Sequence, residues 1–408
     1  MQRWLTVERR RQAAHVIARI YGIYADLRRW WPWYLRGLIF MLALDMLVPA
    51  APRAPLGPPQ TVETIKPHVC VHTRLIEEVE EWKIQRSLEL TRALGAETIV
   101  EFFPWAYIET AEDRYDWTQA DRIVSHARNQ GIRIIARMGL VPAWARPDPA
   151  EALTTLNTLP PASYADFAAF VAEFAARYAG VIDHLIIWNE PNLAFEWGYQ
   201  SVDPAGYVDL LRAVYDQVKV ANPDAIILAG ALAPTLEPPG SPHGLNDLIY
   251  LERMYQAGAA DYFDALAVHT YGFTEPAAAE SHPDLLNFRR AEQLYAVMQR
   301  FDDGDTPVYI TETGWNDHPR WTMAVSPSQR IGHTIAAFRW AEVNWPWLEQ
   351  MCLWVLRFPL PTLSYPDSFT LITTDFQLKP IYHAVQAYAR GFPQTETLWL
   401  PPPAAASP

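Results

Sequence analysis

The sequence predicts a single (β/α)8 barrel, on three observations. Eight short apolar runs recur between residues 68 and 358, helical periodicity fills the gaps between them, and polar residues gather at the ends of runs that begin apolar. The runs are HVCVHTR (68–74), ETIVEFF (97–103), IRIIARMGL (132–140), HLIIWNE (184–190), AIILAGAL (225–232), DALAVHTY (264–271), TPVYITE (306–312) and MCLWVLRF (351–358). A doubly wound open sheet is the alternative, but no Gly-rich phosphate turn follows the first run.

The helices show in the spacing. Between Tyr164 and Tyr178, the apolar Phe167, Phe170, Val171 and Phe174 recur at three- and four-residue intervals, as one buried helix face requires. Gly131 and Gly180 stand just past such segments, where helices end. The Pro- and Ala-rich stretch Val141–Ser163 reads as a long loop after the third strand, placed to shape a groove.

The flanks read differently. Residues 1–60 hold nine Arg against Glu8, Asp26 and Asp45, a net +6, which leaves −19 of the total −13 for residues 61–408. So acidic a body is a poor partner for nucleic acid and suits neutral substrates. Residues 1–48 read as a basic and hydrophobic export or membrane-anchor segment, with membrane association through residues 28–48 and a small-residue cleavage site at Val48-Pro49-Ala50. An interfacial amphipathic segment is the competing reading. The expected location is extracellular or anchored at the cell envelope. Residues 49–67 read as a stiff Pro-rich linker, 68–393 as the barrel, and 394–408 as a Pro/Ala-rich tail.

Function in a barrel collects at the C-terminal strand ends. There the sequence puts Glu190 after strand four, His269 and Tyr271 after strand six, Glu312 after strand seven and Trp354 on strand eight. Strict alternation would group Glu312 with Ile310 and Val308, and Glu190 with Trp188 and Ile186. Two carboxyls at one rim suit glycosidic hydrolysis, in which one is protonated to give a proton to the leaving oxygen and the other is ionised to attack the anomeric carbon. Tyr271 is placed to donate a hydrogen bond to Glu312, and Asn189 to hold a sugar hydroxyl.

These motifs resemble the retaining glycoside hydrolases of clan A. The resemblance rests on Asn189-Glu190-Pro191 and Glu312, and in wording (WNEPN, TETGW) on the family 39-like and family 5-like branches. His269-Thr270-Tyr271, Trp354, Tyr115-Asp116-Trp117 and Pro142–Ala145 add to it, whereas Ile186 stands where the family 5 pattern expects a polar residue. The resemblance implies that Glu190 is the acid/base, that Glu312 is the nucleophile, and that β-linked oligo- or polysaccharides are hydrolysed with retention. A transglycosylase and a non-catalytic carbohydrate-binding barrel are the rival readings.

Blander roles compete residue by residue. Glu190 can cap or pair, Glu312 can serve a turn, and His269 can be a satisfied core histidine. Trp105, Trp144, Trp315 and Trp354, with Trp188 and Trp197, lie near strand ends and are each as readily core as sugar platform; together they favour stacking. Glu101 and Arg137 are expected to pair between strands two and three, the alternative being that Arg137 reaches the substrate or the nucleophile. Cys70 and Cys352 read as two buried thiols, a disulfide being disfavoured because inward residues of adjacent strands occupy alternate layers. No metal-ligand spacing occurs, so neither a metal nor another cofactor is expected.

Overall fold

The computed structural model describes residues 19, 28–37, 39–40, 54–147 and 154–392. Eight parallel strands close into a barrel: β1 (Val69–His72), β2 (Thr98–Pro104), β3 (Arg133–Gly139), β4 (His184–Ile187), β5 (Ile226–Leu232), β6 (Ala265–Tyr271), β7 (Val308–Gly314) and β8 (Leu348–Leu353). Each is followed by a helix: α1 (Glu81–Leu94), α2 (Thr118–Asn129), α3 (Tyr164–Arg177), α4 (Pro204–Ala221), α5 (Asp247–Gln256), α6 (Arg290–Arg300), α7 (Pro327–Asn344) and α8 (Pro380–Arg390). The predicted fold class therefore holds.

Two apolar layers keep the shape. Cys70, Val100, Ile135, Ile186, Leu228, Ala267 and Tyr309 fill the barrel interior. The alternate side chains, such as Val71, Ile99, Ile187 and Ile310, pack outward against the helices. Phe167, Phe170, Val171 and Phe174 of α3 are all buried, as their spacing predicts. Helix starts carry local signals: Asp203 accepts from the Ala205 N–H, and Ser326 forms a reciprocal capping box with Gln329. Gly131 and Gly180 end α2 and α3 with φ of 71° each, a conformation that disfavours a Cβ.

Four expectations need correction. The eighth strand runs over 348–353 and not 351–358; it starts earlier because Leu348 is buried beside Val308 of β7, despite the polar Glu349 and Gln350 that follow. Residues 54–67 are not a free linker. Gln60 N–H donates to Asn129 O and Ile65 N–H to Ala389 O, which ties this extended stretch to the ends of α2 and α8. Cys70 and Cys352 form a disulfide across the β1–β8 seam. They are in register, and residues directly opposite on adjacent strands share a face even when strand tilt puts them at different heights. Lastly, Glu101 does not pair with Arg137: its carboxylate accepts from the Thr73 hydroxyl and from the N–H groups of Leu75 and Ile76.

Residues 28–37 are helical. Most of the proposed export segment, the Val48–Ala50 cleavage site and the 394–408 tail lie outside the described residues. No helix among those described is long and apolar enough to cross a membrane.

Candidate active site

The β4 run stops being a strand at Ile187 because the backbone turns over. Trp188 has φ 72° and Glu190 φ 44°, both left-handed and rare for residues with side chains. Alternation is thereby broken: Trp188 does not share the interior with Ile186, but packs outward against Phe167 and Trp197, its indole N–H donating to Glu196 O at 2.9 Å. Asn189 and Glu190 are turned over the mouth. Asn192 secures the turn, its amide donating to Ala233 O and Leu245 O and accepting from the Ala233 N–H.

A bulge does the corresponding work on β7. Val268 pairs with Ile310 and His269 with Glu312, so Thr311 is the extra residue. Ile310 and Val308 face the helices while Glu312 faces the mouth, contrary to strict alternation. The two carboxyls thus reach one another: oxygens of Glu190 and Glu312 and a nitrogen of His269 lie within 4.8 Å of each other.

Their surroundings differ. The Tyr271 hydroxyl donates to Glu312 Oε2 at 2.7 Å, and Arg137 Nη1 lies 3.4 Å from Glu312 Oε1 while donating to Asn189 Oδ1 at 2.8 Å. His72 Nε2 sits 3.6 Å from Glu312, its Nδ1–H donating to Thr73 O. Glu190 instead meets His269 Nδ1 at 2.8 Å. Burial holds His269 down at about 4, so at neutral pH it is uncharged and this contact is a hydrogen bond. Burial also lifts Glu190 to about 7, against the opposing pull of Arg137. Glu312 is raised by burial too, but the Arg137 charge and the Tyr271 hydrogen bond act to lower it. Of the pair, Glu312 has the partners that favour ionisation.

The three ligating groups Glu190, His269 and Glu312 are spaced as a metal site would be. The fit is poor: the Arg137 guanidinium already faces both Glu312 and Asn189, and Tyr271 occupies the other Glu312 oxygen.

Two cavities meet at Arg74, Glu190, Glu312 and Trp354. The larger, about 900 Å³, also takes in Tyr271. The smaller, about 330 Å³, reaches Arg137, Asn157, Asn189 and Glu196. Trp354 lies just beyond β8, edge-on to His72 at 4.6 Å. Three other tryptophans lie elsewhere. Trp105 is fully buried with its N–H on Glu109 Oε2, Trp144 stands edge-on to Trp105 with its N–H on Glu109 O, and Trp315 is buried with its N–H on Glu275 O. Trp105 and Trp315 are core and Trp144 is half-buried against Trp105; none of the three lines either cavity.

The sequence reading passed over His72, Asn157 and Glu196. Glu196 is the most informative of them: it accepts from the Asn157 amide at 3.1 Å, and burial with the nearby Glu190 lifts it to about 7. Its only sequence signal is a second acid six residues after Glu190, in the loop that follows β4.

Fold and site together define a (β/α)8 barrel with a buried carboxyl pair at the C-terminal mouth. Neither a protein-family model nor a curated protein matches the sequence. Solved structures do. A family 39 glycoside hydrolase from the gut symbiont Bacteroides cellulosilyticus WH2 matches with TM-score 0.63 and 20% identity, over 82% of this chain and 65% of that one. A monomeric beta-xylosidase from Caulobacter crescentus CB15 matches with TM-score 0.58 and 18% identity, over 80% and 69%. GH5_18 from Streptomyces cattleya, in complex with GlcNAc, gives TM-score 0.58 and 18% identity over 81% of both chains. The chain shares the fold of these glycoside hydrolases, on the two branches that the motifs resemble.

Proposed function

We propose that the protein hydrolyses β-linked glycosides with retention of configuration. The observation that carries this reading is the approach of Glu190 and Glu312 oxygens to within 4.8 Å. Double displacement uses carboxyls about 5–5.5 Å apart, whereas an intervening water in an inverting enzyme needs roughly 6.5–9.5 Å. A Glu312 oxygen attacks the anomeric carbon as the bond to the leaving oxygen breaks, and the proton of Glu190 goes to that oxygen. Glu190, now ionised, takes a proton from water, which attacks the glycosyl ester and frees Glu312. Asn189, fixed by Arg137, is offered to a hydroxyl beside the reacting carbon, and His72 Nε2 to another.

The test is a panel of aryl β-glycosides with Glu312→Ala and Glu190→Ala. Turnover lost in Glu312→Ala, with azide restoring Glu190→Ala through a glycosyl azide, is expected. Sugar binding without turnover by any variant points instead to a non-catalytic carbohydrate-binding barrel.

The Cys70–Cys352 disulfide supports placing the barrel outside the reducing cytoplasm, at the envelope or beyond. Residues 28–37 support an interfacial attachment, because Trp30, Trp31, Trp33 and Tyr34 are exposed beside Arg29 and Arg36.

A further inference from the structure

The two cavities that meet at the carboxyl pair differ in kind. The smaller one is lined by the polar Arg137, Asn157, Asn189 and Glu196, which together offer both donors and acceptors. A sugar ring carries a hydroxyl on most of its carbons and each needs a partner once buried. The larger cavity offers chiefly carbon: Leu193, Pro234, Phe273, Trp321, Phe358 and Leu360 line it. Apart from Glu190 and Glu312 at the junction, its charges lie on the segment from Arg74 to Lys83 and are paired among themselves or with the barrel, Arg74 with Glu77, Lys83 with Glu80 at 2.9 Å, and Glu78 with Arg357. Aromatic rings alone would suit a second sugar, but here aliphatic side chains stand among them. Leu360 and Val79, both on the cavity lining, are 76% and 85% exposed. Solvent-facing leucine and valine at a site mouth gain stability only when something apolar covers them.

Cleavage happens where the chambers join, so one chamber holds the sugar that contributes the anomeric carbon and the other holds what leaves. We infer that the large chamber receives an apolar leaving group, an alkyl or aryl aglycone, and that the natural substrate is a glycoside of such an alcohol and not an oligosaccharide. This rests on the glycosidase reading of the same site. The reaction is unchanged: the bond from anomeric carbon to aglycone oxygen breaks, Glu190 protonates that oxygen, and the free alcohol departs.

Alkyl glycosides test it cleanly, because straight-chain alcohols leave with similar ease and differ mainly in buried surface. With the glycone found active on the aryl panel, kcat/KM is measured for its methyl, butyl and octyl β-glycosides and for its β-1,4-linked disaccharide. Each added methylene that enters the chamber should raise kcat/KM by up to about fourfold, from ~0.8 kcal/mol of burial. The octyl compound should exceed both the methyl compound and the disaccharide by on the order of 100-fold. Leu360→Asp, at an exposed position where folding is not at stake, should reduce the octyl-to-methyl ratio. Aryl glycosides matched for leaving-group acidity but differing in ring size separate an aryl from an alkyl preference. A flat alkyl series, or a disaccharide that matches or exceeds octyl, overturns the inference and leaves the glycosidase reading standing. Absence of turnover on every glycoside overturns both.

Discussion

Glu190 is held where a carboxylate is uncomfortable. Its backbone is left-handed, which costs about 1–3 kcal/mol, and its side chain is only 15% exposed, beside an uncharged His269. Those features give a group that keeps its proton near neutrality, as a general acid must. The pH dependence follows. The proposed double displacement requires Glu312 ionised and Glu190 protonated, so kcat/KM should rise as pH climbs through the raised pKa of Glu312 and fall as it passes the value of about 7 at Glu190. In Glu190→Gln, assayed with an aryl glycoside that needs no proton to leave, the alkaline fall should disappear; its persistence would assign that limb elsewhere, Glu196 being the next carboxyl near 7. Stability carries the opposite signature. A carboxyl raised from 4.5 to about 7 favours the fold at acid pH, and that contribution is lost as pH rises through 7. Glu190→Gln should therefore be stabilising at pH 8 by up to about 3 kcal/mol and nearly neutral at pH 4.5. Denaturant titrations at the two pH values check the sign.

At the scale of elements, the legible and illegible parts of the sequence separate cleanly. Apolar runs and helix spacing are local signals, so all eight strands and the buried face of α3 could be read from them. What could not be read depends on neighbours. The extra residue at Thr311 exists because Val268 and His269 pair with Ile310 and Glu312, and the sequence of β7 alone looks regular. The turnover at Trp188 is maintained by Asn192 bonds to the β5 and α5 loops, 41 and 53 residues away. The tryptophans misled for the same reason, since whether an indole lies in the core or on a cavity wall depends on what packs against it from elsewhere in the chain. Those loops need fixing in turn, and one ion pair does much of it. Asp247 at the start of α5 and Arg290 at the start of α6 are both fully buried; Arg290 bonds the Asp247 carboxylate and the carbonyls of Pro283 and Leu285. Asp247→Ala leaves a buried guanidinium without its counter-charge, which should cost about 3–5 kcal/mol. A change below 1 kcal/mol in urea unfolding would mean that the loop carbonyls suffice.

For the whole molecule, the question is how a barrel closes. Seven of the eight strand junctions join neighbours in sequence, but the last brings β1 against β8, and Cys70 lies 282 residues from Cys352. Three residue pairs form the ladder at that seam, as many as join β1 to β2 or β4 to β5, so the seam is set apart by its long loop and not by its ladder. Closing so long a loop is an entropic burden on folding that the other junctions do not carry. The disulfide sits in the middle of the three pairs, with both cysteines fully buried inside the barrel. A covalent link there removes the loop-closure entropy from the unfolded state, while the native seam already holds the two residues opposite each other. The Cys70→Ala/Cys352→Ala double variant should accordingly fold to the same barrel but lose on the order of 2–5 kcal/mol. Much of the loss should appear as faster unfolding if the seam is where the barrel first opens. Hydrogen exchange can locate that opening: amides of β1 and β8 should lose protection in the variant while those of β3 and β4 keep theirs. Uniform loss around the ring would show instead that the barrel opens as one unit and that the disulfide acts only through the unfolded chain.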